Sequence, residues 1–233
     1  MIVHRFYCPN LPVASTMTVE LPEGEARHAA KVLRLRPGDQ ALLLNGQGLV
    51  CQAEISAVSR DARQVTCQIR ERTLHREPTV RWHLYVAPPK GKTFDLVLRM
   101  ATELGAWRIV PILCRYGVSR PEETSASWEQ VLVTAMKQSV NPWLPAIESP
   151  CAFQIALEGA SGCGFYGAVP SESEEASLLP CDKPDRCLWI GPEGGFTAEE
   201  TASLRLAGYK PLTVGRWVLR VETAVAALLG RII

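Results

Sequence analysis

Apolar positions in the first 75 or so residues recur with the period of two that marks half-buried strands. QALLLN and LVCQAEISAV flank Asn45-Gly46-Gln47-Gly48, where glycine supplies the positive φ of a tight hairpin. Pro37-Gly38-Asp39 forms a second turn, and RQVTCQI alternates as a further strand. A single helix from Glu23 to Leu33 interrupts them. Short strands at this spacing with one helix predict a small, partly closed β-barrel.

From Val80 onward the period changes. The apolar strand VRWHLYVA leads into a helix from Thr93 to Leu104, with Phe94, Val97, Ala101 and Leu104 on one face and Asp95, Arg99 and Glu103 off it. The strand RIVPIL follows, then a helix around Trp128 to Val140 that Asn141-Pro142 stops. Strands GFYGAV, CLWI and PLTV come next, the last two each running through a glycine-containing loop into a helix. Alternation of this kind predicts a parallel sheet covered by helices. The polar stretch RTLHREPT separates a domain of residues 1–75 from one of residues 76–233. Residues 171–185 (SESEEASLLPCDKPD) are expected to be a solvated acidic loop.

Composition narrows the classes. With 47% hydrophobic residues and a mean hydropathy of +0.02, the chain buries a real core. No apolar run reaches the length that spans a bilayer, and MIVHRFYCPN lacks the form of a secretory signal, so a cytoplasmic protein with no membrane association is expected. The eight cysteines are scattered with no CxxC, so reduced thiols, mostly in the core, and no metal site are expected. A net charge of +1 argues at first against nucleic acid, but the average hides segregation: residues 126–200 carry −8, while residues 1–75, 76–125 and 201–233 carry +2, +3 and +4. That pattern is compatible with a phosphate-binding face and equally with scattered solvated arginines.

Two loops carry candidate chemistry. In Trp189-Ile190-Gly191-Pro192-Glu193-Gly194-Gly195-Phe196, three glycines let backbone approach a ligand closely, and Thr197 with Glu200 predicts a capping box on the next helix. It lacks both GxGxxG and the Lys-Ser/Thr of a phosphate loop, which disfavours a dinucleotide or a nucleoside triphosphate. Pattern alone fits a bare structural turn as well as a cofactor loop. The second segment, residues 212–224, sets Arg220 and Glu222 at the start of an apolar helix. The two could be an ion pair complementing the helix dipole, or a cation beside a carboxylate facing an acidic nucleobase edge.

WIGPEGGFTAEE followed by VGRWVLRVETA resembles the C-terminal signature of the RsmE family of ribosomal RNA methyltransferases, in the knotted SPOUT superfamily. KGKTFDLVLRMATELGAWRIVPILCRYGV resembles the opening strand-helix-strand of that family's catalytic domain, and RHAAKVLRLRPGDQALLLNGQG its PUA-like barrel. The match is collinear over nearly the whole chain. It implies an α/β fold in which a SPOUT-type parallel sheet with a trefoil knot follows an N-terminal PUA-like small β-barrel. It also implies a homodimer, S-adenosylmethionine as methyl donor, and N3 of a uridine in 16S ribosomal RNA as acceptor, the RNA being met within the small ribosomal subunit.

The resemblance further implies that the cofactor lies among three loops: Ala168 and Val169; Gly191, Pro192, Glu193, Gly194 and Gly195; and Val214, Gly215, Trp217, Val218 and Leu219. On this reading Arg220 stabilises charge on the uracil oxygens and Glu222 accepts a proton or orients Arg220. Arg34, Arg36, Lys90, Lys92 and Arg115 position the RNA. The chain departs from the family pattern at Met136 to Asn141, where Gln138 is kept but an acid and an arginine are replaced, at Trp217 in place of an arginine, and at Met100 in place of a lysine. The alternatives are a SPOUT enzyme acting on another RNA or base position, and a non-catalytic PUA-containing RNA-binding or assembly factor.

Overall fold

The computed structural model describes residues 3–12, 17–169 and 182–233. Most of the acidic stretch expected to be a loop, residues 171–181, lies outside the described residues, whereas Asp185 heads a strand. The chain divides into two compact units, Met1–Glu77 with Met136–Leu144, and Pro78–Ala135 with Pro145–Ile233.

The first unit is built on a five-stranded sheet. Its strands β1 (His4–Tyr7), β2 (Thr18–Glu20), β3 (Gln40–Leu44), β4 (Leu49–Val58) and β5 (Val65–Leu74) are ordered β1-β3-β4-β5-β2, with only β1 and β3 parallel. The β3–β4 hairpin closes as expected: Gly46 and Gly48 take φ of 71° and 91°, and the Asn45 Oδ1 accepts from the backbone N–H of Gln47 and Leu49. Alternate residues of β4 and β5 (Cys51, Ala53, Ile55; Val65, Cys67, Ile69) enter one core with Phe6, Leu43 and Ala26. The predicted helix is in fact a short α1 (Glu23–Arg27) that widens into a π-turn (His28–Val32).

Residues 136–144 belong to this unit rather than to the one that supplies most of their helix. Met136 packs with Leu44 and Val50, and Gly48 N–H donates to Pro142 C=O at 2.9 Å. The Lys137 Nζ lies 2.7 Å from Glu25 Oε1, and Arg5 donates to the Gln138 carbonyl. The replaced family positions therefore act here as an anchor on the barrel.

Among the described residues the second unit carries a seven-stranded sheet in which every pair is parallel. Strands β6 (Arg81–Val86), β7 (Arg108–Leu113), β8 (Ala146–Ile147), β10 (Cys163–Gly167), β11 (Asp185–Ile190) and β12 (Lys210–Leu212) run in the order β12-β10-β11-β6-β7-β8, and β9 (Cys151–Ala152) pairs with β7. Helices α2 (Thr93–Glu103), α3 (Ala126–Ser139), α5 (Ala198–Leu206) and α6 (Val221–Ile232) match the expected pattern. The short α4 (Phe153–Gly159) gives no comparable signal in the sequence. On one face Tyr85 stacks on Trp189 with centroids 4.0 Å apart, among Val110, Phe153 and Tyr209. Helices α2 and α6 pack together, and Phe94 of α2 meets Trp128 of α3 edge-on at 4.8 Å.

The expectation of reduced cysteines holds for six, of which Cys8, Cys51, Cys67, Cys114 and Cys187 are buried. Burial pushes the thiols of Cys8, Cys67 and Cys114 up to about 12, so they remain protonated core groups. Cys163, at the partly exposed start of β10, is the correction: it is disulfide-bonded. Cys163 lies outside the buried clusters that hold Cys8, Cys51, Cys67, Cys114 and Cys187, so its sulfur is not committed to core packing. Among the described residues no helix is long and apolar enough to cross a membrane.

Candidate functional site

Strands β12, β10 and β11 are adjacent and parallel, so the loops leaving their carboxyl ends share one edge of the sheet, where open α/β sheets bind ligands. These loops enclose a cleft of about 300 Å³. Its lining takes Ala168 and Val169 from the first loop, Gly191, Pro192, Glu193, Gly194 and Gly195 from the second, and Val214, Trp217, Val218 and Leu219 from the third. Of the twelve positions expected to hold a cofactor, Gly215 alone is not part of the lining.

The floor was not legible from motifs. Gly167, Ile190 and Leu212 end the three strands, and Val221, Ala224 and Leu228 come from α6. The helical spacing of those last three was the available signal: they share one face of an otherwise plain apolar helix. Gly167 packs closely there, since a Cβ would lie 3.2 Å from both Ile190 Cδ1 and Leu228 Cδ1 and would press on those side-chain ends. Gly195 is required by conformation, with φ at 73°.

The second loop is pinned at its far end by the expected capping box. Thr197 Oγ1 accepts from Glu200 N–H at 3.1 Å, and Glu200 Oε2 accepts from Thr197 N–H at 2.9 Å. The other carboxylate oxygen of Glu200 accepts from Arg115 N–H at 2.9 Å, which ties the loop after β7 to the start of α5.

Arg220 is the N-cap of α6 and exposed, and Glu222 sits in the helix's first turn, half-buried. Neither lines the cleft, although their neighbours Leu219 and Val221 both do. Among the described residues neither forms a salt bridge or a side-chain hydrogen bond, so the ion-pair reading of this motif is not realised. Lys90, Lys92 and Arg115 are exposed on the second unit, and Arg34 and Arg36 on the first. Arg36 uses its backbone N–H in the predicted turn, donating to Asp39 at 2.6 Å and leaving the guanidinium outward.

The cleft suits a molecule that is part apolar and part polar. Its walls are aliphatic, its loop backbone is bared by glycine, and Glu193 is the charged residue of the lining. The volume lies at the lower end of the range for small-molecule sites, about 300–1,000 Å³. The aliphatic walls and the glycine-bared loop backbone fit the adenine and the methionine chain of S-adenosylmethionine.

Residues 75–233 match the family described as RNA methyltransferase domain, and residues 21–67 match the RNA methyltransferase PUA domain. Ribosomal RNA small subunit methyltransferase E of Synechocystis is 29% identical, covering 92% of this chain and 72% of its own length. The Aquifex aeolicus protein of the same name is 28% identical, covering 90% and 91%. A crystal structure of ribosomal RNA small subunit methyltransferase E from Neisseria gonorrhoeae bound to S-adenosylmethionine superposes with a TM-score of 0.87 at 26% identity, over 99% of this chain and 96% of that one. These matches run collinearly over nearly the whole chain, and the chain belongs to the RNA methyltransferase family, within its RsmE group.

Proposed function

We propose that this protein transfers the methyl group of S-adenosylmethionine to N3 of a uridine in small-subunit (16S) ribosomal RNA. The observation that carries the reading is the convergence of the three loops that the family resemblance implies on one cleft at the carboxyl edge of the parallel sheet. The donor, when bound, supplies a methyl made electrophilic by its sulfonium. The protein's contribution is then alignment of the acceptor nitrogen and management of its proton.

Uracil N3 carries a proton and is a poor nucleophile until it leaves. Arg220, held at the start of α6 with its guanidinium uncommitted, stabilises the negative charge that develops on the uracil oxygens. Glu222, two residues further in the first turn of α6, accepts the N3 proton or orients Arg220. Lys90, Lys92, Arg115, Arg34 and Arg36 contact phosphates and set affinity rather than turnover.

The protein acts in the cytoplasm on 16S ribosomal RNA within the small subunit, and as a homodimer. Trp217 and Val218 line the cleft yet remain 79% and 71% exposed in the single chain, as expected of residues a second copy covers. Incubation with labelled donor and small subunits lacking the modification, followed by nuclease digestion and mass spectrometry, tests the assignment. Label on uridine N3 is expected. Label on another base or RNA would place the enzyme elsewhere in the superfamily, and donor binding without transfer would favour a non-catalytic assembly factor. Gel filtration tests the dimer.

A further inference from the structure

The loop after β7 carries an exposed aromatic residue that the activity above leaves unused. Tyr116 is 55% exposed and Val118 beside it 56%. Among the described residues neither a hydrogen bond nor another aromatic ring engages the Tyr116 side chain. Its inner side rests on the cofactor loop: a Cβ built on Gly194 would lie 3.1 Å from Tyr116 Cβ and 3.5 Å from its Cγ. Gly194 lines the cleft, so the ring stands at the cleft's rim.

The loop is built to hold that position. Arg115 N–H donates to Glu200 Oε1 at 2.9 Å, and Gly117 N–H donates to Cys114 C=O at 3.1 Å, closing a tight turn around the tyrosine. A Cβ at Gly117 would lie 3.1 Å from that same carbonyl. Cys114 itself is buried, which fixes the base of the turn. A large ring kept in water by a rigid turn, flanked by the exposed cations Arg115 and Arg120, is the combination that binds single-stranded nucleic acid: a flat face for a base and charge for its phosphates.

We infer that Tyr116 is a positioning residue on which one base of the RNA substrate stacks, presenting the target nucleotide to the adjacent cleft. The inference rests on the function proposed above but concerns RNA rather than donor. Tyr116→Ala is expected to raise KM for small subunits about tenfold or more, with kcat changed little, because a lost base-aromatic stack weakens binding by about that factor. Tyr116→Phe keeps the ring and is expected to restore KM to within about twofold of wild type. Donor affinity, read by calorimetry, is expected to be the same in all three proteins.

An unchanged KM in Tyr116→Ala overturns the inference. So does a parallel loss of donor affinity, which would make the tyrosine a cover for the glycine loop. If the wild type transfers no methyl, the proposed function fails by itself. Equilibrium binding of the RNA to wild type and Tyr116→Ala then still decides the stacking role, with equal affinities, or no binding by either, counting against it.

Discussion

Arg220 owes its availability to its place at a helix start. As the N-cap of α6 its backbone is extended (φ −68°, ψ 158°), and its exposed side chain makes no cap hydrogen bond. Arg220→Ala is expected to lower kcat about 100-fold or more, as removal of a donor to developing negative charge does elsewhere. Since the side chain is exposed and unpaired, stability should move by no more than about 0.5 kcal/mol. Single-turnover rates together with thermal unfolding separate the two effects, and a few-fold loss of rate would remove Arg220 from the mechanism. Glycines act on the donor instead. Gly195→Ala would force φ 73° on a residue with a Cβ, at about 1 kcal/mol, and is expected to weaken donor binding without altering the pH dependence of turnover.

At the scale of elements, the Gly191–Gly195 loop depends on Glu200, whose two carboxylate oxygens cap α5 and hold the loop after β7. Glu200→Ala is expected to destabilise the protein by about 1 kcal/mol, the usual cost of a lost cap, and to weaken donor and RNA binding together because both loops lose an anchor. Thermal unfolding and calorimetry report the two consequences. The capping box was legible as Thr197-x-x-Glu200, since it is made within four residues; the bond from Arg115 spans 85 residues and has no local signature. Likewise, α3 was legible by its period, whereas its last turn joins the barrel unit through Lys137 and Met136, which only packing decides.

At the scale of the whole molecule, the amino end of the sheet holds a charged cluster remote in sequence. Arg81 Nε and Nη2 donate to both oxygens of Asp185 at 2.9 and 3.1 Å, and His83 Nε2 lies 3.0 Å from Oδ1. Burial lowers the His83 imidazole below its ordinary 6.5 despite the carboxylate, with Arg108 and Arg81 adding to the shift. Burial alone would raise Asp185, but hydrogen bonds from Arg81 and His83 and their charge hold it below its ordinary 3.8. Both groups bind protons more readily unfolded than folded, so both oppose folding on acidification. Stability is expected to fall as pH drops below about 6.5, where the unfolded histidine begins to charge, and further below about 3.8. His83→Asn should flatten the upper step in denaturant titrations across that range. Salt dependence reports the RNA face: replacing both Lys90 and Lys92 by alanine should lower the slope of log affinity against log salt by about 0.7 per lost phosphate contact.

The sequence by itself determined the two kinds of architecture, the strand-to-helix order, the hairpin glycines, the glycine-rich loop and the family, because periods of 2 and 3.6 and turn chemistry are local properties of the chain. It could not show that Ile190, Leu212 and Leu228 form one floor, that Arg220 and Glu222 stay unpaired, or that Tyr116 rests on Gly194. Those follow from strand order. In a parallel sheet ordered β12-β10-β11-β6, loops far apart in the chain become neighbours, and only the folded chain places their side chains within reach of one another.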